Sequence, residues 1–188
     1  MSTENKEERR ADRFVKTVIE RLRDDVNDSA FGAALRRADN PDTEYQSWKY
    51  LVQWCDLEQI RERKAFVLIG AALAKAKPQG NGVFGIGQAL AQCYADEGKN
   101  NGSEKDAANA KIRRLLACTS TEEACDILRP LLSLIHSREV SLNYAGLLND
   151  ILYTDSGFNE WIKPRWAKDF YRYGEAKEEE KKAKKDKK

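Results

Sequence analysis

The sequence predicts an all-α protein, a single compact chain of about eight helices in two small lobes with a charged, disordered C-terminal tail. Three observations lead there. Apolar residues recur at helical spacing along most of the 188 residues. No segment shows the strict alternation of a half-buried strand. Clusters of Gly, Pro, Asn, Asp and Ser punctuate the helical stretches.

The elements follow in order. Phe14, Val18, Leu22 and Val26 recur every fourth residue, so a first helix is predicted from about Glu7 to Asp25 with one apolar stripe. Asp28-Ser29 offers an N-cap to a short helix through Ala38, and Asn40-Pro41-Asp42 signals a turn. Thr43 is placed as the cap of the next helix, with Tyr45, Trp48, Leu51, Val52 and Cys55 on its inner face. Asp56 is placed as the cap of a long helix through about Lys75. Its middle, AFVLIGAALA, is apolar nearly all round, which marks it as the buried core helix. Lys77–Gly82 breaks that helix, and Phe84, Ile86, Leu90 and Cys93 resume helical spacing.

Gly98–Ser103 is the expected boundary between lobes at about 7–97 and 103–174. Ser103 begins a helix whose apolar face is Ile112, Leu115 and Leu116. Thr121 with Glu122 and Glu123 reads as a cap and an acidic first turn, and Pro130 is expected to kink or restart the run that follows. Ser141 opens a helix carrying Leu142, Leu147, Leu148 and Ile151. Gly157 separates it from a last helix with Trp161, Trp166, Phe170 and Tyr171, where Pro164 fits near the start. Residues 175–188 are nearly all Glu, Lys, Asp and Ala, a composition expected to be disordered, or frayed helix when attached.

Composition narrows the function. A 41% hydrophobic and 34% charged chain fits a soluble helical protein. The net charge is only +2, and the tail's seven Lys and five acids account for all of it. A nucleic-acid partner must therefore be argued from segregated charge, not from net charge. The N-terminal MSTENKEERRADRF is too charged for a signal peptide, and the longest apolar run, Ala65–Ala74, is far short of a membrane span of roughly 20 residues. A cytoplasmic location without membrane contact is expected. Cys55, Cys93, Cys118 and Cys125 show no CxxC spacing and read as reduced, mostly buried thiols.

The motifs of chemistry are weak. Gly80–Gly85 spells GxGxxG, but a dinucleotide site needs a strand before it, and here a Lys-bearing helix and Pro78 precede it. The plain reading is a loop between helices. No Lys follows the last glycine, so a P-loop is not supported. One histidine, His136, and scattered cysteines provide no tetrahedral zinc set. Carboxylates fall on solvated faces and caps. No catalytic residue, metal or cofactor is assigned.

What stands out is a set of short basic clusters on helical segments. They are Arg36-Arg37, the run Arg61-Glu62-Arg63-Lys64, Lys75 with Lys77, and Lys111-Ile112-Arg113-Arg114. Arg61–Lys77 holds five cations against one acid, and Lys111 and Arg114 share one face opposite Ile112 and Leu115-Leu116. Cations on a rigid face suit phosphate binding. The competing reading is ordinary solvation, or pairing with Glu at i+4, and Glu62 already competes for Arg61 and Arg63.

Several segments in order resemble the CasB family, the small subunit of Cascade, the type I-E CRISPR RNA-guided surveillance complex. They are Gly32-Ala33-Ala34-Leu35-Arg36-Arg37-Ala38, Gly85-Ile86-Gly87-Gln88-Ala89-Leu90-Ala91, Lys111 through Leu116, Ile127 through Leu132, and Leu142-Asn143-Tyr144-Ala145-Gly146-Leu147-Leu148, closed by Trp161 through Tyr171. Each motif alone is weak; the ordered set covers roughly residues 10–173. The resemblance implies a non-catalytic subunit in antiviral defence. Two copies would pack along the belly of the complex, against a repeated backbone subunit and the large subunit. CRISPR RNA pairs with the target DNA, and the protein holds backbones and the displaced strand of the R-loop. In that role Arg36, Arg37, Arg61, Arg63, Lys64, Lys75, Lys77, Lys111 and Arg114 are the expected phosphate contacts. Lys163 and Arg165, beside Trp161 and Trp166, come second. The rival is a structural spacer, whose apolar and Trp-bearing faces bind neighbouring subunits while its cations meet acidic patches on them. An enzymatic reading would require turnover lost on substituting one residue, such as His136 or Cys118.

Overall fold

The computed structural model describes residues 3–26, 28–95, 102–153 and 158–185, with side chains for 10–26, 28–94, 106–153 and 160–174. Most of the expected lobe boundary and the Gly157 break lie outside these residues. The described chain is helical, and its one β-type contact is an isolated bridge between Phe84 and Leu142.

The helices are α1 (Thr3–Leu22), α2 (Ser29–Arg37), α3 (Trp48–Leu51), α4 (Ile60–Ala76), α5 (Ile86–Ala95), α6 (Gly102–Ala117), α7 (Thr121–Ser137), α8 (Tyr144–Leu152) and α9 (Phe158–Lys185). Helix α4 is the centre, as its composition predicts. Ala65–Ala74 are buried apart from Ala72, and α1, α2, α7 and α8 pack around them. Phe14 meets Phe66 and Trp54 edge-on. Each such side chain taken fully from water contributes about 1.5–3 kcal/mol. One apolar cluster runs from Ala11 to Phe170 and draws on residues from both sides of the expected lobe boundary.

The caps explain where the helices start. Asp28 Oδ1 accepts from the Phe31 amide at 3.0 Å and opens α2, as its position before Ser29 suggests. The third helix is different from expectation. Pro41–Ser47 winds as a 3-10 helix into the single turn α3, and Asn40 caps it by accepting from the Asp42 amide at 3.0 Å. Thr43 donates its hydroxyl to the Arg37 carbonyl instead. The tighter winding redirects the side chains: Leu51 and Cys55 are buried, but Tyr45, Trp48 and Val52 are 59%, 37% and 62% exposed. Asp56 closes only a turn onto the Glu58 amide, so α4 begins at Ile60 after Gln59.

Helix α7 is capped one residue earlier than expected. Ser120 accepts from the Glu123 amide at 3.1 Å, and Glu123 accepts from the Thr119 amide at 2.8 Å. This reciprocal arrangement satisfies two amides near the helix start, and Thr121 is buried behind it. Pro130 does not restart α7, which is continuous from Thr121 to Ser137 with Pro130 on its exposed side. Asn143, not Ser141, caps α8, because Leu142 is held in the bridge to Phe84. Pro164 lies inside α9 rather than at its start, on the exposed side. The backbone of residues 175–185 continues α9 as helix.

In the glycine-rich loop, Gly82 is required by packing. The Gly82 amide donates to the Leu142 carbonyl at 2.9 Å, and the Phe84 amide to the Ser141 carbonyl at 3.0 Å. A Cβ on Gly82 would lie 2.5 Å from the Leu142 carbonyl oxygen. The Asn81 side chain ties the loop to Asn143 and to the Ala145 amide. The literal GxGxxG is a close approach between two backbones, with a helix rather than a strand before it.

Candidate nucleic-acid interface

The basic residues singled out in the sequence fall into four places. The first is the joint C-terminal end of α2 and α4. Arg36 and Arg37 occupy the last turn of α2, Lys75 the last turn of α4, and Lys77 its C-cap. Arg36 Nη1 donates to the Ala74 carbonyl at 3.3 Å, which joins the two ends. Cations there also complement the negative ends of two helix dipoles, worth about 0.3–1 kcal/mol each. Arg37 donates to Gln46 Oε1 at 3.2 Å on an exposed surface. Lys77 is exposed and holds the left-handed region with φ 44°. A non-glycine residue there costs about 1 kcal/mol. Lys77→Gly should therefore raise urea-unfolding stability slightly while deleting the charge; a loss of stability would contradict this account of the cap.

Asp39 organises the same end. Its carboxylate accepts from Lys75 and from Arg129 of α7. Burial alone would raise its pKa, but the Lys75 hydrogen bond and the Arg129 charge outweigh burial and hold it below 3.8. A lowered native pKa stabilises the fold above the unfolded aspartate's range, and the gain is lost as pH falls through the native pKa. Asp39→Asn should cost about 1 kcal/mol at pH 7, given the partial exposure of Lys75. It should also flatten the loss of stability between pH 5 and pH 2, as measured by denaturant melts. An unchanged acid limb would contradict the assignment. Lys75, Arg129, Asp39 and His136 line a small cleft of about 60 Å³.

The second place is the N-terminal end of α4, about 21 Å along the helix from Lys75. Arg63 Nε donates to Glu44 Oε1 at 2.8 Å, its Nη1 to the Leu57 carbonyl, and it stacks over Trp48. It is thus tied into the structure, clamping the 3-10 helix onto α4. Glu62 is held by Arg10 of α1. Arg61 and Lys64 are half-buried beside them.

The third place is α6. Lys111, Arg113 and Arg114 are exposed, while Ala108, Ile112 and Leu115 beneath them are 5%, 0% and 0% exposed. The three cations pair with no acid among the described residues. The fourth place is α9. Lys163 caps the end of α6 by donating to the Cys118 carbonyl. Arg165 pairs with Asp150, which also accepts from Trp166 Nε1 at 2.7 Å. Burial raises the Asp150 pKa although Arg165 opposes it.

The structure therefore brings Arg36, Arg37, Lys75 and Lys77 together, separates them from Arg61, Arg63 and Lys64, and leaves Lys111 and Arg114 on a further helix. The sequence reading omitted Arg113, Arg129, Lys168 and Arg172. Arg113 stands within the quoted cluster. Lys168 and Arg172 share a helical face with Arg165, a spacing legible once α9 is extended. Arg129 is revealed as a partner of the α2 end only in the fold, since Asp39 is ninety residues away.

Other chemistry finds little support in the geometry. Burial pushes the thiols of Cys55 and Cys125 up to about 12, and that of Cys118 up as well. Such thiols stay protonated at neutral pH and are poor nucleophiles. Among the described residues no three His, Cys, Asp or Glu side chains gather to hold a metal, and no helix is long and apolar enough to cross a membrane.

The fold and site define a class: a helical protein that presents cations on outward faces of its helices. The family profile described as CRISPR-associated protein Cse2 matches residues 32–171, about three-quarters of the chain. The chain belongs to the Cse2 family, the CasB small subunits of type I-E Cascade. Solved structures share its fold, among them the following two. One chain of a CRISPR RNA-guided surveillance complex superposes with a TM-score of 0.70 at 22% identity, covering 90% of this chain and 96% of that one. A CRISPR-associated protein of the Cse2 family from Thermus thermophilus gives a TM-score of 0.65 at 23% identity, covering 86% and 97%. No curated protein matches the sequence.

Proposed function

We propose that this protein is a non-catalytic subunit of a Cascade-type, RNA-guided complex in the cytoplasm, where it holds nucleic-acid backbone and stabilises the R-loop. The observation that carries the reading is the set of exposed cations Lys111, Arg113 and Arg114 on α6, of which Lys111 and Arg114 share one face. These cations have no acid partner among the described residues, and a buried apolar face anchors their helix. Unpaired cations on a fixed face neutralise phosphates without reading bases. Arg36, Arg37, Lys75 and Lys77 form a second contact surface. Arg36 and Arg37 each commit one hydrogen bond to the protein, and a guanidinium has further donors to offer. Lys64 offers a separate contact at the other end of α4, and Arg61, Arg63, Lys163 and Arg165 contribute only where a phosphate competes with their present partners. CRISPR RNA, target DNA, the repeated backbone subunit, the large subunit and a second copy of this chain are the proposed partners.

A second reading, the spacer, also rests on an observation. Tyr45, Trp48, Val52 and Ile60 are all exposed on the 3-10 helix, α3 and the adjoining start of α4. Large apolar side chains left exposed suit a docked protein. The two readings separate by co-expression of this chain, tagged, with the other type I-E subunits and a CRISPR RNA. Backbone binding predicts that replacing Arg36, Arg37 and Lys77 leaves recovery of the complex intact and weakens its hold on target DNA. A pure spacer predicts that hold to be unchanged wherever assembly is unchanged. Failure of the folded wild-type chain to recover the RNA-containing complex would overturn both.

A further inference from the structure

We infer that the outer face of α9 is a stacking platform for single-stranded nucleic acid, with Trp161 as the base-stacking group and Lys168 and Arg172 as phosphate contacts. The inference rests on the backbone-binding reading and adds a site to it. Trp161 is 76% exposed, although Ile162, Trp166 and Phe170 on the same helix are buried to 7%, 1% and 6%. Those three fix the rotation of α9 about its axis, so Trp161 is held outward. At 100° per residue, Trp161, Arg165, Lys168 and Arg172 fall within an arc of about 60° and span about 16 Å of helix. All four are exposed. Lys168 and Arg172 pair with no acid among the described residues. Arg165 gives Nη2 to Asp150 and keeps its side chain 54% exposed.

Charge composition selects the occupant. The centre of a protein docking surface is depleted in charge and enriched in apolar groups. The α9 face has the opposite make-up: one large aromatic and three cations in line. A strand of alternating phosphates and bases is the partner that uses both, since stacking on an exposed ring tolerates any base and cations track the backbone. Within the proposed function, the displaced DNA strand has that chemistry.

The test uses the full chain and a fluorescent 15-nucleotide thymidine strand, beside an abasic strand of equal length and charge. Trp161→Ala should weaken binding of the thymidine strand about tenfold. The dependence on salt should stay the same, because no phosphate contact is lost. Trp161→Phe should retain most of the affinity. The abasic strand should bind wild type about as weakly as the thymidine strand binds Trp161→Ala. Lys168→Ala with Arg172→Ala should instead reduce the log–log salt slope by about 1.4. Equal thymidine-strand affinity for wild type and Trp161→Ala overturns the platform. So does a Trp161→Ala variant that binds the strand normally but no longer co-purifies with the other subunits, which would make Trp161 a protein-docking anchor. These outcomes leave the broader reading standing; it fails separately, when substitutions on α6 leave nucleic-acid binding unchanged.

Discussion

Gly87→Ala is expected to destabilise the fold by about 3 kcal/mol, near the top of what a single added methyl does. A Cβ at Gly87 would lie 2.2 Å from the Trp166 carbonyl oxygen and 2.9 Å from the Phe170 amide nitrogen. Both are α9 backbone, so no side-chain rotation relieves the clash. The two helices would have to part along their closest contact. Trp166 and Phe170, buried at that seam, would lose packing, and Tyr173 would be pulled from Gln92 and from the Phe84 ring. Gly85→Ala is the control. Its Cβ would meet only Asp169 Oδ2 at 3.6 Å, an ordinary contact. Urea unfolding monitored by circular dichroism should show a large drop in midpoint for Gly87→Ala and little change for Gly85→Ala. Equal midpoints for the two variants would contradict the close approach of α5 and α9.

The second large effect is electrostatic. Replacing Lys111, Arg113 and Arg114 together by Ala should reduce the log–log salt slope of single-strand binding by about 2, if each holds one phosphate. Between 50 and 200 mM salt, wild type should then lose about 20-fold more affinity than the variant does. Stability should hardly change, because all three side chains are exposed and pair with no described acid. A variant that melts normally and keeps the wild-type slope would remove α6 from the interface.

Much of the fold was legible because its signals are local. The apolar stretch of α4, the stripe Phe14–Val18–Leu22 and the Asp28 cap each specify their element within a few residues. The misreadings came where a tertiary contact decides. Thr43 looks like a cap until Asn40 and the Arg37 carbonyl compete for its role. Leu142 reads as helical until it pairs with Phe84. The glycines of Gly80–Gly85 and Gly87 look like a motif or a flexible turn, yet Gly82 and Gly87 are small because another backbone passes beside each.

The site was legible as charge but not as geometry. Sequence clustering finds Arg63 and Arg113 with equal ease. It does not show that Arg63 is engaged by Glu44, nineteen residues upstream, while Arg113 faces solvent. Nor does it show that Lys75 is shared with Arg129 around Asp39. Ion pairs across the fold decide which cations remain for a partner, and such pairs have no sequence signature.

The most direct measurement is the lifetime of the R-loop held by the complete complex, assembled with wild-type chain or with the Lys111, Arg113 and Arg114 substitutions. Subunit stoichiometry would be verified in the same preparations. Backbone binding predicts a shorter R-loop lifetime at full stoichiometry, with the deficit growing as salt is lowered, where phosphate contacts count most. An unchanged lifetime in a fully assembled complex would contradict it and leave this subunit a spacer.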